Sequence, residues 1–242
     1  MQQMTEAVEI ASGRAARRLG IVVGTSAAAR CFARPAGGGG PLIVTSHGDP
    51  GRARTAARQL AAQGARALIS FGPAVGLAPA LRPGDLVIAE CVVLPSGATI
   101  PTDRAWRTEL GRCLSPLSPH LKVARLAGRD RLAASVEEKR AVFQATFAAA
   151  LDTESHVVAE VAEAAGVPFL AVRAVADPAE QSRPWAAYGE AQRHAYAASL
   201  LACLARPWEL PAIWRFARNG RAALATLRQV AALGPGALAF GG

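Results

Sequence analysis

Along most of the chain, short apolar runs alternate with longer stretches whose apolar positions recur every three to four residues. The runs at 20–24, 42–45, 67–71, 85–90, 121–126 and 169–176 are punctuated by Gly, Ser, Pro or Asp and read as strands. The stretches at 51–62, 103–114, 136–147, 154–165 and 185–204 read as helices. Strands that are apolar on both faces and separated by helices predict an α/β fold: a mixed, largely parallel sheet covered by helices on both faces. Past residue 205 the alternation stops. Two helical segments, 210–217 and 220–233, are divided at Asn219-Gly220, so the sequence predicts a main domain over 1–205 and a basic amphipathic helical tail over 206–242.

Composition and charge narrow the class. Of 242 residues 51% are hydrophobic and 19% charged, which excludes a disordered or fibrous chain. The net charge of +9 is almost wholly arginine, since Lys122 and Lys139 are the only lysines. The tail holds Arg206, Arg215, Arg218, Arg221 and Arg228 against Glu209 alone. No nucleic-acid motif accompanies these charges, so nucleic acid is not the expected partner. No uncharged apolar stretch approaches the ~20 residues that span a bilayer. Leu210, Ile213, Trp214 and Phe216 beside Arg215, Arg218 and Arg221 leave two readings of 208–228: peripheral contact with an anionic membrane, or a helix docked on the domain or on another subunit. Cys31, Cys91, Cys113 and Cys203 form no CxxC pair and read as core thiols of a cytoplasmic protein, at most peripheral on the inner membrane face. The apolar segment after Arg17-Arg18 reads as the first strand rather than an export signal.

Ligands of open α/β sheets sit beyond the carboxyl ends of strands, so polar residues that follow the predicted strands are the candidates. Glu154 opens a helix: it is a first-turn acid favoured by the helix dipole, with Asp152 or Thr153 as cap, or a carboxylate aimed at the vicinal hydroxyls of a sugar. Asp177 precedes Pro178: it begins an Asx turn or, desolvated at a cleft mouth, keeps its proton near neutrality and donates it to a leaving group. Ser46-His47-Gly48 and the FGPAVG stretch at 71–76 are ordinary turns, or loops that let backbone N–H groups approach an anion or a ribose. The histidines at 47, 120, 156 and 194 share no ligand spacing, so no metal is expected. There is no Gly-x-Ser-x-Gly elbow, and the glycine run at 37–40 lacks nucleotide-binding spacing.

Four linked blocks, ALISFGPAVGL (67–77), LRPGDLVI (81–88), DTESH (152–156) and VPFLAVRAVAD (167–177), resemble the purine nucleoside phosphorylase and nucleosidase superfamily over residues 20–205. The tail WELPAIWRFARNGRAA (208–223), with PTDRAW (101–106), is similar to its hopanoid-associated branch, which removes adenine from adenosylhopane. The resemblance implies cleavage of an N-glycosidic bond in an adenosyl lipid or a purine nucleoside. It makes Asp177 the acid that serves purine N7 and Glu154 the acid that holds the ribose hydroxyls. Ser46 and Gly48 would lie at the water or phosphate nucleophile, Phe71 and Gly72 would border the nucleoside, and Asp130 would lie near the base. Thr153 stands where a methionine commonly packs on the ribose, and Arg173 completes the substrate-binding set. No cofactor is implied beyond phosphate as a co-substrate, and kinship implies a homo-oligomer. One departure matters: GTSAAAR (24–30) has alanine where relatives often carry a water-activating glutamate. Phosphate then attacks without a base, or activity is weakened or lost. Three readings follow: an enzyme for an adenosyl lipid, a soluble purine nucleoside or methylthioadenosine-type cleaving enzyme, or a non-catalytic membrane-associated binding protein.

Overall fold

The structure, a computed structural model, describes residues 19–32, 40–116, 118, 120–184, 207–234 and 238. The helix expected over 185–204 lies outside the described residues, with His194 and Cys203. β1 (Leu19–Val23) pairs in parallel with β2 (Leu42–Thr45) on one side and β3 (Ala67–Gly76) on the other. β3 continues in parallel beside β8 (Phe169–Asp177), and its far end meets the short β7 (Ala150–Asp152) antiparallel. β8 also pairs antiparallel with β4 (Leu86–Val93), β4 lies parallel to β6 (Lys122–Gly128), and β6 lies parallel to β7. β5 (Thr99–Pro101) borders β4 antiparallel. The sheet is therefore mixed and largely parallel, and β3, β8, β4, β6 and β7 close a ring that β1 and β2 extend.

The helices start where side chains satisfy their free N–H groups. Thr25, Asp49, Asp103 and Ser135 each accept from the N–H three residues on, opening α1 (Ser26–Ala29), α2 (Pro50–Ala62), α3 (Arg104–Leu114) and α4 (Val136–Thr146). Glu138 reaches back to the Ala134 N–H at 2.7 Å, completing a reciprocal cap. α5 (Ser155–Ala165) stops at Gly166, whose φ of 64° suits a residue without Cβ. Strand alternation sorts the core onto two faces. Val22, Leu68 and Ala171 pack with Leu60 of α2 and Val158 of α5, while Ile21, Ile69 and Val172 pack with Leu110 of α3.

Three expectations change. The 71–76 stretch is strand rather than loop: β3 runs on to Gly76, and Pro73 falls between the end of its pairing with β1 at Phe71 and the start of its pairing with β7 at Val75. β5 and β7 have three residues each, too few to show a period. The tail is a single helix, α6 (Leu210–Ala232), which passes through Asn219-Gly220 without a break. Asn219 is buried there and its Nδ2 donates to Gln181 Oε1 at 3.0 Å, so the residue read as a breaker is a tertiary anchor. Ala223, Leu227 and Val230 of α6 join the second core face, so this helix shares the core of the main domain rather than standing apart from it.

Candidate active site

The turn from β7 into α5 builds the first carboxylate. Asp152 Oδ1 accepts from the N–H groups of both Glu154 and Ser155 at 2.6 Å, capping α5 from two residues ahead of Glu154. Glu154, the residue at the cap position, makes no side-chain cap bond. Its carboxylate instead turns inward, is 4% exposed, and accepts the hydroxyl hydrogen of Ser46 on Oε1. A Cβ on Gly24 would lie 2.6 Å from Glu154 Oε2, so the acid lies against a bare backbone at the end of β1. Thr153 Oγ1 donates to Gly48 O at 2.9 Å, fastening the loop after β2 to this turn. His47 (φ 59°) and Gly48 (φ 74°) both take left-handed conformations there.

Arg173 of β8 lies beneath this carboxylate, fully buried. Its Nε is 3.0 Å from Asp152 Oδ2 and its Nη2 is 3.7 Å from Glu154 Oε2. Nη2 also donates to Ser70 Oγ at 2.5 Å and Ser155 Oγ at 3.0 Å, and Nη1 to Val172 O at 3.2 Å. One guanidinium thus serves two buried acids, and they respond differently. Burial pushes Asp152 up, but Arg173 and the Ser155 hydrogen bonds outweigh it and hold the group below its ordinary value. Burial pushes Glu154 up, and Arg173, Ser46 and the Gly48 backbone offset that only in part.

Asp177, at the end of β8, has a different setting. Its Oδ1 accepts from Lys139 Nζ of α4 at 2.7 Å, and both side chains are buried. Its Oδ2 has no hydrogen-bond partner among the described residues, with Arg183 Nε 3.8 Å away. Burial raises its pKa, and Lys139 and Arg183 counter this only partly. A buried carboxyl with one oxygen bonded to an ammonium and the other without a hydrogen bond has the makings of a proton donor.

The candidates therefore do not all fall together. Ser46, Gly48, Thr153, Glu154 and Arg173 share one network, and Gly72 adjoins it: a Cβ there would lie 3.7 Å from Gly24 N and 3.8 Å from Arg173 Nη1. Asp177 lies four residues past Arg173 on β8 and has its own partners, Lys139 and Arg183. Asp130 is mostly exposed and pairs with His156 Nε2 at 3.2 Å, beside rather than within the network. The ring of Phe71 is fully buried in the core, edge-on to Phe32 at 4.9 Å between centroids. The sequence reading missed Ser70, Ser155 and Lys139. Lys139 had a signal: with Val142, Phe143 and Thr146 it marks the i, i+3, i+4, i+7 face of α4, the inward one. Among the described residues no group of three or more His, Cys, Asp or Glu is placed to hold a metal.

Comparison with known proteins settles the family. The phosphorylase superfamily model matches residues 14–204. The chain belongs to the phosphorylase superfamily. Solved structures with the same fold include the Helicobacter pylori 5′-methylthioadenosine/S-adenosylhomocysteine nucleosidase, 18% identical, covering 89% of this chain and 96% of that one at a TM-score of 0.66. The Neisseria meningitidis nucleosidase of the same name is 15% identical, covering 88% and 96% at 0.67. Helicobacter pylori futalosine hydrolase is 17% identical, covering 89% and 97% at 0.64. No curated protein matches in sequence. Both acids and Arg173 fall inside the matched span of this superfamily member.

Proposed function

We propose that this phosphorylase-superfamily protein is an N-glycosidic bond-cleaving enzyme that releases adenine from an adenosyl compound. The observation that carries the reading is the pair of buried acids with different wiring: Glu154 set between Ser46 and Arg173, Asp177 with one oxygen on Lys139 and the other without a hydrogen bond. Fission of the bond leaves an oxocarbenium-like sugar while the purine departs with the bond's electrons. Asp177 Oδ2–H gives its proton to N7 of the departing base, and Glu154 accepts from the ribose hydroxyls and faces the growing positive charge.

Water fits this site better than phosphate. Arg173, the cation within the network, already serves Asp152, Ser70 and Ser155, and the two carboxylates around it outnumber it in charge. A phosphate dianion would enter against that field. The stretch without the usual glutamate forms α1, where Ala28 is buried in the core. The proposed route draws on the reactivity of the sugar cation and on Glu154 with Ser46 rather than on a base from this helix.

The substrate we infer is lipid-linked, of the adenosylhopane kind. Trp208 and Trp214 on the approach to α6 and in its first half are 72% and 60% exposed, and Leu210 is also exposed. Arg215, Arg218 and Arg221 are exposed near them, and Arg218 lies 5.1 Å above the Trp214 ring. Interfacial tryptophans among arginines suit an anionic membrane surface, where each cation contributes about 1 kcal/mol. Among the described residues no helix is long and apolar enough to cross a membrane. The test is adenine release from an adenosyl lipid in vesicles and from soluble adenosine and methylthioadenosine, each with and without phosphate. The reading predicts turnover of the lipid without phosphate and ribose rather than ribose 1-phosphate as the sugar end. Turnover of the soluble nucleosides alone would favour a soluble-substrate enzyme, and no adenine from any of them would refute cleavage.

A further inference from the structure

Lys139 is the second lysine of a chain otherwise furnished with arginine, and it is fully buried. Its Nζ meets three acceptors: Asp177 Oδ1 at 2.7 Å, Pro178 O at 2.8 Å and Gln181 O at 2.5 Å. Three acceptors require three N–H donors, so the group is an ammonium, although burial works against the charge. The same loop is fastened from its other side by α6. Asn219 Nδ2 donates to Gln181 Oε1 at 3.0 Å, and the Arg183 guanidinium lies 5.4 Å from the Phe216 ring centroid. The Lys139 contact with one oxygen of the acid leaves the two oxygens of Asp177 unlike each other.

We propose that Lys139 is a positioning residue for proton transfer: by occupying Oδ1 of Asp177 it confines the acid's proton to Oδ2, the oxygen left for the purine. The inference rests on the reading of Asp177 as the proton donor. When Oδ2–H passes its proton to N7 and the C1′–N bond pair moves onto the purine, Asp177 becomes a carboxylate already hydrogen-bonded to an ammonium. Lys139 thereby stabilises the state after transfer and makes Asp177 a stronger acid than its burial alone allows. Among the described residues the charged groups acting on Asp177 are Lys139 from α4 and Arg183 from its own loop. β3 sets Val75 opposite it, and α6 reaches the loop through uncharged Asn219 and Phe216.

The test is the pH profile of adenine release in Lys139→Gln, which keeps donors but removes the charge, beside Asn219→Ala, which loosens the loop and leaves the charge. Losing a contacting cation raises a carboxyl by about 1–3 pH units, so Lys139→Gln moves the alkaline limb of kcat upward by at least about one unit and lowers its plateau. Asn219→Ala lowers kcat without moving the limb. A Lys139→Gln profile reduced evenly at every pH, with the limb in place, overturns the proposal. Should that variant not fold, the native protein still decides. Its two lysines make the Lys139 Nζ resonance assignable in ¹⁵N spectra, and it must step at the pH of the alkaline limb; a resonance that ignores that pH overturns the proposal. Asp177→Asn separates the two levels. Full adenine release by Asp177→Asn sinks the proton-donor reading itself, whereas an inactive Asp177→Asn with an unmoved Lys139→Gln limb sinks only the role of Lys139.

Discussion

The surroundings of Glu154 and of Asp177 start from the same physical insult, burial of a carboxyl, and answer it in different ways. Around Glu154 the protein supplies a shared arginine, a serine hydroxyl and a backbone N–H, so both oxygens meet donors or positive charge. Around Asp177 it supplies one ammonium on Oδ1 and leaves Oδ2 without a hydrogen bond, with the Arg183 guanidinium 3.8 Å away. A hydroxyl on one oxygen and a guanidinium near the other fix the Glu154 carboxylate in place and offset part of the cost of burying its charge. A single partner makes a group poised to lose a proton in one direction. That both remain raised above their ordinary values shows burial winning in each case.

The contrast is tested most severely by exchanging each acid for its amide. Asp177→Asn removes the transferable proton and is expected to lower kcat by about 10²–10⁴ with KM little changed, read in steady-state adenine release. Breaking the other region is a matter of stability first: Arg173→Met leaves Asp152 and Glu154 buried without their cation and costs about 3–5 kcal/mol of unfolding free energy, read by denaturant titration. Glu154→Gln keeps the shape but not the charge, and loses about 1.5–3 kcal/mol of transition-state stabilisation. That loss should shrink on a substrate lacking the ribose hydroxyls, where only the charge of Glu154 still acts on the sugar cation, whereas a loss at Asp177 will not. Ser46→Ala removes one donor and costs about 1 kcal/mol in kcat/KM.

Acidity sharpens the same comparison. Asp177 is raised, so its proton-bearing form survives to higher pH than that of a free aspartic acid, and activity is present below that folded-state value and lost as pH rises through it. Asp152 is lowered, so the stability it contributes is present above the ordinary carboxylate value and lost as pH falls through its folded one. Activity thus fails on the alkaline side while the Arg173 network fails on the acid side. A rate profile set against a melting profile over the same range reads both.

Much of the architecture was legible because strands and helices of ordinary length carry their period in the sequence. The runs at 42–45 and 169–176 and the stretches at 51–62 and 103–114 all lie within a residue of the observed elements. What escaped was long-range or short. β5 and β7 have too few residues to show alternation, the small residues of 71–76 pointed to a loop that pairing with β8 overrode, and Asn219 pointed to a helix break that its contact with Gln181 overrode. Glu154 and Asp177 were legible because acids at strand ends are conspicuous, although the sequence could not choose between cap and ligand. Asp152 takes the cap, and the Glu154 carboxylate turns inward to Ser46 instead. The face of α4 marks Lys139 as inward, but its partners lie 38 to 42 residues away, a separation no local pattern reports.

The most direct test of the division of labour between the acids is a structure with adenine and a ribose-like cation bound together. The account predicts Asp177 Oδ2 within about 2.6–3.2 Å of purine N7 and Glu154 within the same reach of the sugar hydroxyls. A purine contacted by Glu154, or an Asp177 carboxyl with both oxygens turned from the base, would contradict it.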